Sequence, residues 1–277
     1  MRVGILHPGS MGAALGENAS GEVYWASEGR SDTTAGRAGQ AAMIELRSLE
    51  ELVETVDVVI SVCPPHAALD VASDIQHLGF SGLYVDANAV APHTSLEIAE
   101  MFDRFVDGGI VGSPPHPPGV EESTKTRLYL SGPEAGTVAG IFADSNLDVR
   151  ELGDDHGLAS ALKMAFASWT KGSAALLLTI AAYARSRGVL DDLIHEWEGS
   201  IADLPGRVEV LASGVGRKAW RFEGEMMEAA ASLAESGLPD GFHQAATDIY
   251  SRLATLKDQP GPESVAEVLT LIERRHR

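Results

Sequence analysis

Residues 2–12 read RVGILHPGSMG, a short apolar run that breaks into a small-residue turn and continues as AALG at residues 13–16. A run of this kind followed by glycines and small helix formers spells a strand, a tight turn and a helix. In the dinucleotide-binding form of that unit, one glycine permits the turn, a second lets the backbone approach a pyrophosphate, and a third allows close helix–strand packing. Gly9 and Gly12 stand in the second and third places, and His7 stands in the first. Pro8 stiffens the turn, and the helix beyond it offers free N–H groups and a positive dipole end to a phosphate. His7, Pro8, Gly9, Ser10, Met11 and Gly12 are therefore expected to line a cofactor site.

The next β-like run ends in YWASEGRSDTT, residues 24–34. A carboxylate at this strand end suits a ribose 2′-hydroxyl, whereas Arg and hydroxyl donors suit a 2′-phosphate. Ser27, Arg30 and Ser31 supply such donors, which favours NADP; Glu28 keeps NAD open. Past the fourth β-like run, SVCPPH places Val62, Cys63 and Pro64 where strand ends meet the cofactor crevice. Cys63 has no partner pattern of a nucleophile and reads as a small wall residue.

Further β-like runs at residues 43–46, 57–62, 83–86 and 105–107 alternate with helical stretches such as 49–55 and 67–78. Such alternation predicts an α/β fold with a doubly wound parallel sheet. Runs at 127–131 and 147–151 extend the sheet. After residue 153 the chain turns Ala- and Leu-rich, so 1–153 reads as a dinucleotide-binding Rossmann domain and 154–277 as an all-α domain, with breaks at residues 204–206, 237–239 and 260–262.

With 44% apolar and 22% charged residues, the composition is that of a folded soluble chain. A formal charge of −19 over 277 residues disfavours nucleic acid and anionic membrane surfaces. The lone cysteine and the absence of a leader-like start point to a cytoplasmic protein. Residues 174–184, AALLLTIAAYA, fall short of the roughly 20 apolar residues a membrane span requires and read as a buried helix. His66, His77 and His93 are scattered and no metal-ligand spacing occurs.

Four stretches together resemble the β-hydroxyacid dehydrogenase superfamily, which includes 6-phosphogluconate and 3-hydroxyisobutyrate dehydrogenases: GILHPGSMG, VDANAVAP at 85–92, VDGGIVG at 106–112, and GLASALKMAFASWTKG at 157–172. With RKAWRFEGEMMEAA at 217–230 and GFHQAATDIYSRLA at 241–254, the chain looks most like the branch with a DUF1932-type C-terminal domain. The resemblance implies a homodimer built by the helical domain. It also implies hydride transfer between NADP and a hydroxy acid or carbonyl compound, with Lys163 as general acid/base and Asn88 as a substrate-positioning group.

The residues agree with such a role for Lys163. Leu162, Met164, Ala165 and Phe166 surround it, and desolvation favours the neutral amine that a two-way proton carrier needs. Lys171 lies about 80° around the helix from it and is a substrate-side candidate, with Ser113 and His116 in the proline-rich loop GSPPHPPG and His243 in the helical domain. Asp107 reads as a loop organiser. Arg217, Lys218 and Arg221 around Trp220 read either as an anion clamp or as surface pairs with Glu223 and Glu225, and Met226 and Met227 as core or interface filler. The family's Asn one turn after the lysine is Ala167 here, its carboxylate-binding Ser is Val111, and its Ser-Thr pair is Asn88-Ala89. An imine reductase on the same fold, which usually carries Asp or Tyr at the lysine position, and a non-catalytic NADP-binding sensor remain as alternatives.

Overall fold

The computed structural model describes residues 1–120, 125–257 and 264–274, with Gly216 and Arg217 described as backbone only. Contacts divide the chain into two compact units, Met1–Met164 and Ala165–Arg277.

The first unit alternates strands and helices: β1 (Arg2–Ile5), α1 (Ser10–Asn18), β2 (Glu22–Ala26), α2 (Asp32–Gln40), β3 (Ile44–Leu46), α3 (Leu49–Thr55), β4 (Val58–Ser61), α4 (Ala68–His77), β5 (Leu83–Asp86), α5 (Pro92–Ala99) and β6 (Phe105–Val111). Then come β7 (Thr126–Ser131), α6 (Ala135–Ile141), β8 (Leu147–Glu151) and the first residues of α7 (Leu158–Ser186). The eight strands form one sheet in the order β3-β2-β1-β4-β5-β6-β7-β8. Neighbours run parallel except β6 and β7, where Asp107 faces Ser131 and Val111 faces Arg127. This is the doubly wound α/β sheet that the alternation predicts.

Both faces of the sheet are covered, so the strands bury side chains on each side. Val3, Ile5, Val58, Ile60 and Val85 pack on one face with Leu15, Ala38 and Phe142. Val59 and Tyr84, one residue out of phase, pack on the other with Leu52, Ala72 and Ile98. The strand order reverses at β1, which pairs with both β2 and β4. At such a switch point the helices that follow the two strands diverge and leave a crevice outside the strand ends.

Strand β6 is longer than its sequence suggests. Expected over residues 105–107, it runs to Val111 with every residue buried. Gly108 and Gly109 carry little β propensity by themselves, and the pairing with β7 holds them extended. The structure adds helices α2, α5 and α6 between these strands; α2 starts where the Ser31 hydroxyl accepts the Thr34 N–H at 3.3 Å.

The second unit holds the rest of α7, then α8 (Leu190–Ser200), α9 (Leu204–Glu235), α10 (Gly241–Leu253) and α11 (Val265–Glu273). Phe222 on α9 meets Tyr250 on α10 edge to face at 5.4 Å. Arg185 near the end of α7 ties down α11 through Glu273 at 2.9 Å and Thr270 at 2.8 Å. Of the expected breaks, residues 237–239 separate α9 from α10, whereas Pro205 sits in the first turn of α9, where its missing N–H costs nothing. Residues 260–262 lie outside the described residues. The reading of 174–184 as a buried helix needs correction, because Leu176, Ile180 and Tyr183 are exposed. These three recur at helical spacing, so one face is open while Ala174, Leu178, Ala181 and Ala182 are buried on the other. Among the described residues no helix is long and apolar enough to cross a membrane.

Candidate active site

At the end of β1 the chain folds sharply, the Gly9 N–H donating to the His7 carbonyl at 2.7 Å. Helix α1 then starts with Gly9 as its N-cap and no side-chain cap. The Ala13 N–H reaches back to the Gly9 carbonyl at 2.9 Å, which leaves the amides of Ser10, Met11 and Gly12 without an intrahelical acceptor. A Cβ on Gly12 would lie 2.2 Å from the His7 carbonyl oxygen, so helix and turn approach as only glycine allows. The turn thus closes despite His7, whose backbone supplies the acceptor that tightens it. A Cβ on Gly9 would meet nothing within 4 Å, so the face over the amides is open.

Two buried nitrogens stand beside this opening without partners, His7 Nδ1 and Arg30 Nε. Burial first, and the Arg30 charge second, press the His7 ring down to about 4. Arg30 is itself partly desolvated, which lowers its pKa. Of the hydroxyls expected to act with it, Ser27 donates to the Leu46 carbonyl at 3.3 Å, and Ser31 accepts the Thr34 N–H at the α2 start, a contact that leaves its own hydrogen to donate. The free amides, the uncrowded turn and the orphaned basic nitrogens form a donor set that fits the phosphates of a dinucleotide.

Val62, Cys63 and Pro64 follow β4 as a half-buried wall. Burial and nearby Asp86 push the Cys63 thiol up to about 12, as a wall residue requires and a nucleophile does not. Asn88 is buried. Its oxygen accepts the Cys63 N–H at 2.5 Å, and its amide donates to Ser61 at 3.1 Å and to Asp86. That side chain ties the ends of β4 and β5 together, so it shapes the wall and has no amide hydrogen left to offer a ligand.

Lys163 lies on the second turn of α7, and its Nζ donates to the Ile110 carbonyl at 2.7 Å. Strand β6 runs parallel to β5, and β5 to β4 and β1, so Ile110 sits toward the same edge of the sheet as the turn after β1. Two features seat the helix. The Asp107 carboxylate is fully buried and accepts the Ser160 N–H at 2.9 Å, the Ser160 hydroxyl at 2.6 Å and the Ser131 hydroxyl at 3.0 Å. Ser131 in turn accepts the Ala159 N–H at 3.1 Å. A buried anion thus closes the helix N-terminus, where the dipole favours it. Gly109 is the second feature, since a Cβ there would lie 2.7 Å from the Ala159 carbonyl and 3.2 Å from the Lys163 Cβ.

The other candidates make contacts of their own. The Ser113 carbonyl accepts the Thr126 hydroxyl. The His116 carbonyl accepts Asn18 Nδ2 at 3.0 Å and Asn146 Nδ2 at 3.3 Å, and Asn146 also holds the carbonyls of Pro117 and Val120. Asn18 ends α1, on the order of 12 Å from the helix start at 1.5 Å per residue, so the proline-rich loop is fastened at the far end of α1 from the unpartnered amides. In the second unit, Lys171 pairs with Glu225 at 3.1 Å and lies 5.5 Å from the Phe222 ring centroid. His243 packs on Gly172, with Nε2 3.4 Å from the Ser168 carbonyl. Glu225 is thus spent on Lys171, and Trp220 carries Lys257 at 4.1 Å and Arg221 at 6.0 Å. The Arg217 side chain lies outside the described residues. Met226 is buried and Met227 exposed. Sequence reading missed Gly109, Ser131, Ser160, Asn18 and Asn146; each is a common residue type whose role appears only once strands and helices meet.

Fold and site together define a Rossmann-type domain followed by an all-α domain, with unpartnered amides at the α1 start and a lysine amine on the same sheet edge. The model of the Domain of unknown function (DUF1932) matches residues 184–253, from the end of α7 through α10. The uncharacterized 28.5 kDa protein in the 7S RNA 5′ region of Methanothermus fervidus is 31% identical over 199 residues, which cover 70% of this chain and 75% of that protein. A solved conserved protein of unknown function, described as structurally similar to 3-hydroxyacid dehydrogenases, is 27% identical with a TM-score of 0.66, over 93% of this chain and 98% of its own. The 3-hydroxyisobutyrate dehydrogenase of Mycobacterium tuberculosis shares the fold at 15% identity with a TM-score of 0.67, over 99% of both chains. The chain belongs to the β-hydroxyacid dehydrogenase-like superfamily, in the branch that carries the DUF1932 domain.

Proposed function

We propose that this protein is an NADP-dependent oxidoreductase acting between a hydroxy acid and the matching carbonyl compound, with Lys163 as its general acid/base. The observation that carries the reading is the Lys163 amine, held 2.7 Å from the Ile110 carbonyl at the sheet edge where the α1 amides open. The amides of Ser10, Met11 and Gly12 would hold the pyrophosphate, Arg30 the 2′-phosphate, and Val62, Cys63 and Pro64 would wall the crevice. A reduced nicotinamide, when bound there, supplies a hydride. Lys163 delivers a proton to the oxygen that becomes the hydroxyl, and recovers it in the reverse direction. The Ile110 carbonyl takes one of the amine's hydrogens and aims the others. Asn88 acts as a positioning residue through the Cys63 backbone it holds.

The test is direct. Purified protein should change NADPH fluorescence on binding and oxidise NADPH with members of a panel of semialdehydes and 2-keto acids. Turnover of cyclic imines alone would replace the carbonyl reading by imine reduction, and tight binding without any turnover would leave a nucleotide sensor. In the same assay Arg30→Ala should weaken NADPH about 10- to 100-fold, the loss expected for a charge-assisted contact to phosphate, and NADH far less. Equal losses for both would reassign the site to NAD.

The open face of α7 supports a homodimer. Trp169 at 70% exposed, Leu176, Ile180 and Tyr183 at 64% recur along it as a large apolar stripe, which a monomer rarely leaves in water. Sedimentation should give a dimer for the parent protein and a shift toward monomer for a Trp169→Glu, Tyr183→Glu double variant; a parent that sediments as a monomer refutes the assignment.

A further inference from the structure

Of the three glycine places in the turn, His7 fills the one that is not glycine, and it brings an ionisable ring to a place where a backbone usually stands alone. Its Nδ1 and the Arg30 Nε are both buried and both lack a hydrogen-bond partner. A buried nitrogen without a partner is costly to keep, and here two lie at adjacent strand ends. β1 and β2 pair in register, Gly4 opposite Tyr24, so His7 and the segment of Ser27 to Arg30 leave the sheet side by side. A tight turn, with the Arg30 N–H on the Ser27 carbonyl at 3.1 Å, folds Arg30 back toward that point. Arg30 Nε carries a hydrogen and the Arg30 charge reaches His7, and His7 Nδ1 carries one as well once the ring is protonated, so one anionic acceptor between them would answer both, and the chemistry that suits an imidazolium and a guanidinium together is a phosphate.

We propose that His7 and Arg30 form a joint phosphate site in which His7 takes up a proton when the dinucleotide binds. The inference rests on the NADP reading above and deepens it. By itself, the ring is kept neutral by burial and by the Arg30 charge, at about 4. The groups that bear on this pair are few. Arg30 is the charge acting on His7, and Cys63, the further neighbour of Arg30, is a neutral thiol pushed up to about 12. A phosphate between ring and guanidinium reverses the field that disfavours the imidazolium, so the ring's pKa rises on binding. The sign follows from linkage: binding takes up a proton at any pH between about 4 and the raised value, and the contribution of His7 to affinity grows as pH falls across that window.

The test is to compare NADPH dissociation constants of the parent and His7→Gln by fluorescence at a series of pH values. Glutamine keeps a hydrogen-bond donor and removes the titration. Because protonation of the ligand's own phosphate cancels in the ratio at each pH, the advantage of the parent isolates the ring. It should be small at alkaline pH and grow toward about tenfold per pH unit below neutrality, the slope given by one linked proton. Calorimetry in two buffers of different ionisation enthalpy should show proton uptake with the parent and less with the variant. Repeating the series with NADH locates the phosphate: a pH-dependent advantage for NADPH alone assigns the 2′-phosphate, and the same advantage for both assigns the pyrophosphate. An advantage that does not change with pH, together with equal proton uptake by parent and variant, overturns the proposal. Failure of the parent to bind either nucleotide overturns the cofactor reading instead, so the two failures are distinguishable.

Discussion

Lys163→Ala is expected to lower NADPH-dependent carbonyl reduction by about 10²- to 10⁴-fold, the range that a positioned general acid supplies, while NADPH affinity stays within about threefold. The reasoning separates the two readouts by place. On the proposed reading the phosphate contacts would come from α1 and from Arg30, whereas the amine is anchored on β6 through Ile110. Truncation removes the proton carrier and leaves the Ile110 carbonyl without its donor, but it takes nothing from the phosphate cradle. Turnover and binding should therefore part company. A variant that keeps its turnover shows that the proton comes from elsewhere, and one that loses NADPH binding along with activity shows that Lys163 is part of the nucleotide site. Lys163→Arg provides a further check, since a guanidinium keeps a donor for Ile110 but cannot give up its proton at working pH; it should retain the fold and remain inactive.

Asp107→Asn should destabilise the protein by about 2–4 kcal/mol in urea unfolding, because a buried carboxylate accepting three donors loses its charge and one of its two acceptor atoms. The amide nitrogen that replaces one oxygen would face donors, leaving a buried group unsatisfied. Ser160→Ala removes only one of the three bonds and should cost less, about 1–2 kcal/mol. The Asp107 variant should also lose catalytic rate, as the turn bearing Ser160 sets where Lys163 meets β6. If Asp107→Asn unfolds within about 0.5 kcal/mol of the parent, the cluster does not seat α7.

The order of strands and helices in the first unit was largely legible. Residues 22–26, 49–55, 83–86 and 147–151 form the elements that their composition suggests, because a sheet buried on both faces demands short runs of β-branched and aromatic residues. The turn at residues 7–12 was legible for a related reason: its glycines are demanded by local geometry, as the contact between a Gly12 Cβ and the His7 carbonyl illustrates. Asp107 could be seen as an organiser, but not what it organises. The reading of residues 174–184 as a buried helix failed because an apolar stretch has the same composition whether a neighbour covers one side of it or both. The expectation that Ser27 and Ser31 would serve a ligand met a similar limit. Ser27 donates to the Leu46 carbonyl and Ser31 accepts the Thr34 N–H at the α2 start, contacts that the sequence does not show because hydroxyls bond whichever backbone group comes nearest.

Local chemistry, then, determined from the sequence alone that this chain makes a tight strand–turn–helix unit at its start, a doubly wound sheet and an all-α second part, since each is encoded by residues close together in the chain. Tertiary structure alone decided which groups are spent and which remain for a ligand. It turned Asn88 inward to Cys63 and Asp86, fastened the His116 loop to the far end of α1, and left His7 and Arg30 with buried nitrogens unanswered. Hydrogen-bonding capacity is used up by whatever packing brings near, and packing joins residues such as Gly109 and Lys163 that the chain itself keeps far apart.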